Sequence, residues 1–227
     1  MALSDKTIME QMEKGDIVID PFKRENLATS SYDVSLGNWY FREQKSKDFF
    51  GVYNIYNKSH TDKVWGTEPL QAERAGDILK LLPADLEGID ENDKVIILEP
   101  GETILAHTEE FIGGKNHITT MMKARSSLGR NFIEVCKCAG WGDVGYTNRW
   151  TMEITNNSRH YAIPLVVGRR IAQIIFFETG PVLGSDYTKT GKYQNGDPLS
   201  ETKDAWRPTS MLPKLYNDRE TKKSHDA

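Results

Sequence analysis

A chain of 227 residues, 38% hydrophobic and 27% charged, is long enough to bury one substantial core, and this composition excludes intrinsic disorder. A formal net charge of -4 argues against broad binding to a nucleic-acid polymer but leaves room for a small anionic ligand held by a local cluster of donors. No apolar run approaches the ~18 residues of a membrane helix, and the opening MALSDKTIMEQMEKGD has no apolar signal core, so a cytoplasmic location without membrane contact is expected.

The first element is a short amphipathic helix over Asp5 to Lys14, capped by Ser4 and stopped by Gly15, with Ile8, Met9 and Met12 on its apolar side. Short β-rich runs follow at 17–22 (IVIDPF), 31–36 (SYDVSL) and 39–43 (WYFRE). The stretch from about Lys45 to Gly88 is irregular and reads as an insertion, with one helix-capable piece, DILKLLPADLEG. From Lys94 the strand signals become dense: KVIILEP, ETILAHTEEFI, HITTMMKA, NFIEVCKC, RWTMEITN, YAIPLVV and RIAQIIFFE. Short strands separated by turns such as Pro100-Gly101 and Asn156-Asn157 predict a mainly β fold, a sandwich, jelly roll or distorted barrel with few helices. The chain is read as one β domain over 1–200 carrying the insertion at about 45–88, with a C-terminal extension and mobile tail at 201–227. Cys136 and Cys138 fall two apart on one face of a predicted strand, where a mutual disulfide is geometrically poor and free thiols in a reducing compartment fit better.

In WTMEITNN, side chains alternate between faces, so Trp150, Met152 and Ile154 point one way while Thr151, Glu153 and Thr155 point the other. Taken alone, Glu153 is a carboxylate on a solvated face. Upstream, KARSSLGR ends a strand and starts a turn or short helix, with Ser126 or Ser127 as its N-cap. Its two hydroxyls and two guanidiniums suit a phosphate, and a capped helix with solvated arginines is the plainer alternative. In AGWGDVGYTNRWTME, glycines permit close backbone approach, while Asp143 and Tyr146 set an acceptor and a flat ring on one loop suited to a sugar. An ordinary hairpin turn explains that spacing as well. His107-Thr108-Glu109 matches half of a zinc-deaminase signature, but no Pro-Cys-x-x-Cys accompanies it and no zinc is expected.

Five blocks in order, LSDKTIMEQMEKGDIVIDPF with SSYDVSLG, RSSLGR, AGWGDVGYTNRWTMEI, GRRIAQIIFFE and TGKYQ, resemble the dCTP deaminase branch of the trimeric dUTPase-like superfamily. The resemblance implies a distorted β-barrel or jelly roll, a homotrimer with active sites between subunits, and zinc-independent hydrolysis of dCTP to dUTP and ammonia, with Mg²⁺ carried by the triphosphate. It implies Glu153 as the group that activates water, with Ser126 and Arg130 beside the reacting centre. Arg125, Ser127 and Lys192 would contact phosphates, Ala139 would border the pyrimidine, Asp143 would hold the 3′-hydroxyl and Tyr146 would exclude a 2′-hydroxyl. Tyr193 and Gln194 would belong to a closing segment, and Gln173 joins the substrate-binding set. Gly140-Trp141 stands where enzymes that only deaminate usually carry His-Arg, which points to the bifunctional type yielding dUMP and pyrophosphate. Gly196 replaces a second glutamine of the closing motif. A plain dUTPase, with Asp143 orienting the water, and a nucleotide-binding regulator without turnover are the competing readings.

Overall fold

The computed structural model describes residues 1–45, 51–79, 87–184, 187, 191, 193 and 199–221. Helix α1 spans Asp5–Lys14, with the Ser4 hydroxyl accepting from the Thr7 N–H at 3.3 Å and Gly15 ending it, and it buries Ile8. Strand β1 (Ile17–Asp20) follows, then β2 (Leu27–Ala28) and β3 (Ser31–Arg42). The two predicted runs at 31–36 and 39–43 are therefore one strand. Gly37 lets it continue, because a Cβ there would meet the His107 ring at 2.0 Å.

The predicted insertion is tied into the sheets. It contains α2 (Lys58–Trp65), β4 (Leu70–Gln71), β5 (Glu73–Arg74) and α3 (Ala75–Leu79); β4 pairs with β3, and β5 pairs with β6 (Lys94–Leu98). Helix α3 takes up the start of DILKLLPADLEG, and residues 80–86 lie outside the described set. Next come β7 (Thr103–Gly114), β8 (Ile118–Ala124), α4 (Ser126–Gly129), β9 (Ile133–Val135), β10 (Trp141–Gly142), β11 (Thr147–Asn156), β12 (Ile163–Val166), β13 (Arg170–Glu178) and α5 (Leu199–Ala205).

The larger sheet runs β10-β8-β13-β3-β7-β11-β9, with β1 added on β7 and β2 and β4 on β3; the second sheet is β12-β6-β5. Strand β3 pairs with β13 through Tyr32 to Ser35 and with β7 through Leu36 to Arg42, so the sheet curls along it into a half-barrel. The fold is mainly β with few helices, as the strand pattern predicts. Alternate residues of the long strands, among them Val34, Ile104, Ile112, Met152, Ile154, Ile174 and Phe176, meet in one core.

One local expectation is overturned. Cys136 and Cys138 do not share a strand face: β9 ends at Val135, and Cys136, Lys137 and Cys138 take φ of 70°, 34° and 70° in a left-handed turn. Cys136 is buried and Cys138 exposed, and both are free. The residues predicted as an extension return to the sheet. After α5 come single 3-10 turns at Pro208–Met211 and Leu215–Asn217, and Met211 is buried against Phe41 and Leu105. Residues 222–227 of the predicted tail lie outside the described set.

His107, the first residue of the dismissed zinc signature, is 2% exposed on β7. Its Nδ1–H donates to the Thr108 carbonyl at 2.8 Å, its Nε2 accepts from the Trp39 N–H at 3.3 Å, and Trp206 of the returning segment lies against it at 4.8 Å. Burial lowers its pKa from 6.5 to about 4, with the nearby Arg149 charge adding to the effect and the Thr108 bond opposing it. The unfolded chain thus binds a proton at this residue that the folded chain refuses. The stability associated with neutral His107 is complete above pH ~6.5 and is lost as pH falls toward about 4, by up to about 3 kcal/mol. Denaturant titrations of wild type and His107→Asn at pH 7 and pH 4.5 should show the smaller acid loss in the variant.

Candidate active site

Glu153 sits in the middle of β11, which is flanked by β7 and β9. Its register partner on β7 is Leu105. Trp150, Met152 and Ile154 are buried in the core, while Thr151 and Glu153 are half-buried on the opposite face, so the expected alternation holds across the centre of the strand. A register shift between Arg149 and Thr151 frees the Trp150 N–H from the ladder, and it donates to the Thr108 hydroxyl at 2.9 Å. The Trp150 ring is fixed by its own N–H on the Ile112 carbonyl at 2.9 Å.

That ring supports the loop entering β11. Tyr146 packs edge-on to Trp150 at 5.2 Å and to Tyr187 at 5.1 Å, and its N–H donates to the Asp143 carbonyl at 3.0 Å. The loop lies hard against β7: a Cβ on Gly113 would come within 1.9 Å of the Tyr146 carbonyl oxygen. Only glycine allows this approach.

A cavity of about 360 Å³ opens at this point, and its walls include Ala139, Asp143, Tyr146, Glu153 and Tyr193. Two carboxylates thus face one space from unlike settings, Glu153 half-buried on a strand and Asp143 exposed on a loop. Burial raises the Glu153 pKa, while its own backbone N–H and the Lys137 charge partly oppose the shift. Burial also raises the Tyr146 pKa, which keeps the phenol neutral. The Cys136 thiol beside them is pushed up to about 12, first by burial and then by the Glu153 charge, so it is no nucleophile.

Five of the predicted site residues therefore converge on one cavity. The RSSLGR block does not reach it. Ser126, Ser127 and Arg130 are exposed on or beside the four-residue helix α4, whose N-cap is Arg125 rather than either serine. Arg125 pairs with Asp33 at 3.3 Å, as Arg170 does at 2.9 Å, and it lines a separate cavity of about 560 Å³. Gln173 on β13 donates to the Ser31 hydroxyl at 3.1 Å and does not line the Glu153 cavity. Lys192 and Gln194 lie outside the described residues. Conversely, Leu105, Met211 and Pro213 also line the cavity and carried no sequence signal. Leu105 is an ordinary strand hydrophobe, and the other two arrive by a chain return that no local pattern announces.

The dCTP deaminase-like family matches residues 2–179, which takes in every strand of both sheets and the whole Asp143 to Glu153 block. The chain belongs to this family. It is 33% identical over 178 residues to the dCTP deaminase, dUMP-forming, of Hydrogenobaculum sp. (strain Y04AAS1), covering 78% of this chain and 81% of that one. It is also 33% identical over 175 residues to the protein of the same description from Methanobrevibacter smithii, covering 77% and 78%. The crystal structure of 2′-deoxycytidine 5′-triphosphate deaminase from Agrobacterium tumefaciens superposes with a TM-score of 0.51 at 18% identity. That match covers 77% of this chain and 47% of the other, and it supports the fold alone. Among the described residues no helix is long and apolar enough to cross a membrane.

Replacing Gly113 by alanine should displace the Tyr146 loop and cost about 1–3 kcal/mol, as overpacking typically does, read from the denaturant midpoint. A variant of unchanged stability would mean that the loop moves freely away from β7.

Proposed function

We propose that the protein is a bifunctional, dUMP-forming dCTP deaminase, and the observation that carries this is the half-buried Glu153 facing Asp143 across one nucleotide-sized cavity. In the first step a water adds to C4 of cytosine and Glu153 takes its proton. The same carboxyl then protonates N3 and, after a second transfer, the departing amine, so dCTP and water give dUTP and ammonia. A raised pKa suits a group that must both accept and return protons near neutrality. In the second step water attacks the α-phosphorus, the bond to the bridging oxygen of the β-phosphate breaks, and dUMP and pyrophosphate leave, with Asp143 orienting the water.

The sequence favours dUTP as the end product in its main reading, with dUMP as the alternative. The similar proteins are described as dUMP-forming and Gly140-Trp141 departs from the deaminase-only pattern, so the alternative is preferred. The substrate is the Mg²⁺ complex of the triphosphate. In this proposal the triphosphate would hold the ion through its own oxygens, whose charge the metal would offset. Tyr146 walls off the 2′ position and selects deoxyribose.

Ser126, Ser127, Arg125 and Arg130 have the donors a triphosphate needs but lie outside the Glu153 cavity. We infer that a second copy brings its α4 to that cavity, in a homotrimer. Mixing two inactive variants, Glu153→Gln and Arg130→Ala, and allowing subunit exchange should then restore part of the activity. If no mixture regains any, each chain works alone.

The decisive assay is Mg·dCTP with wild type and Glu153→Gln, resolved by anion exchange. Wild type should release ammonia, dUMP and pyrophosphate, and the variant should lose roughly 10²–10⁴ of the rate. Accumulating dUTP would remove the second step, and surviving dCTP would remove both. Because the base must be ionised, the acid limb of kcat/KM should fall off at a pH above the ordinary carboxylate range, in line with the direction of the Glu153 shift.

A further inference from the structure

The family match ends at residue 179, yet four residues lining the cavity, Tyr187, Tyr193, Met211 and Pro213, come from beyond it, and the last two form an apolar wall. The segment that brings them is firmly seated. Lys203 pairs with Asp20, the Arg149 guanidinium lies 4.7 Å from the Trp206 ring and 5.0 Å from the Phe111 ring, and the Lys214 N–H donates to the Tyr193 hydroxyl at 3.2 Å. Met211 is 3% exposed and packs on Leu105, the residue directly opposite Glu153 across the β7–β11 ladder. Side chains of such a pair start about 5 Å apart, so the apolar wall stands within one side chain of the carboxylate.

The chemistry of cytosine then fixes which part of the ligand meets this wall. Glu153 must face C4, whose two ring neighbours are N3 and C5. N3 requires a hydrogen-bonding partner, and an apolar surface would leave it unsatisfied. The C5–C6 edge is the only carbon edge of the base. The triphosphate is excluded from an apolar wall by its charge.

We propose that Met211, backed by Pro213 and Leu105, is a specificity-determining residue that contacts the C5 edge of the pyrimidine and sets how large a C5 substituent the site accepts. This rests on the reading of Glu153 as the group that acts at C4. The extension thereby contributes to substrate choice as well as closing the sheet surface.

The test compares kcat/KM for 5-methyl-dCTP and dCTP in wild type, Met211→Ala and Met211→Leu, with thermal midpoints recorded alongside. Met211→Ala should raise the ratio of methylated to plain substrate by about fivefold or more, the scale on which a pocket discriminates one carbon, and Met211→Leu should stay within about twofold of wild type. An unchanged ratio in Met211→Ala, with only a lower midpoint, overturns the proposal and leaves Met211 as packing. If Met211→Ala does not fold, Pro213→Ala takes its place with the same expected direction. If wild type deaminates neither nucleotide, the role of Glu153 fails separately, and calorimetric binding of the two nucleotides in the Glu153→Gln background decides about Met211. A shifted affinity ratio there supports the wall; no shift, or no binding, overturns it.

Discussion

The pairing of β11 with β7 fixes the position of Glu153 and of the Trp150 ring that supports Tyr146. Glu153 stands opposite Leu105 and Met152 opposite Ala106, so the ladder sends Met152 and Ile154 into the core and the carboxylate outward. A slip by one residue would exchange those faces and bury the charge among Ile104, Ile174 and Phe176. Three features oppose such a slip: the irregularity at Arg149, the Trp150 N–H on the Thr108 hydroxyl, and the indole N–H on the Ile112 carbonyl. The same indole carries Tyr146, so Tyr146 and Glu153 take their positions from one register.

The environment of the site is then built by addition. β7 supplies Leu105, the loop before β11 supplies Asp143 and Tyr146, and the returning chain supplies Met211 and Pro213. Each apolar layer removes water from one side of Glu153 and raises the cost of its charge. Lys137 acts in the opposite sense. The carboxylate is held between these influences on a strand with partners on both sides, an arrangement that positions a side chain more closely than a free loop would.

Much of this architecture is visible in the sequence because strand alternation is a local signal: the period-2 pattern of RWTMEITN states which face Glu153 occupies. Helix α1 is equally legible from Ser4 and Gly15, since caps are local too. What the sequence hides depends on distant contacts. Cys136 to Cys138 looks like a continuing strand, yet the chain must turn after Val135, where the Cys136 N–H bonds the Glu153 carbonyl at 2.9 Å. Strand β3 looks like two because Gly37-Asn38 resembles a turn, while the room needed by His107 explains the glycine. RSSLGR reads as a partner of Glu153 in the sequence, but within one chain none of its residues lines the Glu153 cavity. Met211 gives no hint of its place at all.

The left-handed turn at Cys136 to Cys138 sets two demands against each other. Three successive residues with side chains occupy a backbone region that disfavours them by roughly 1–2 kcal/mol each. Glycine would relieve that strain at any of the three. At position 137, however, it would also delete a cation that eases Glu153 toward its ionised form, so the more comfortable backbone would leave a carboxyl that holds its proton more tightly. The lysine is thus a local compromise in which the ionisation of the site is favoured over the ease of the turn that frames it.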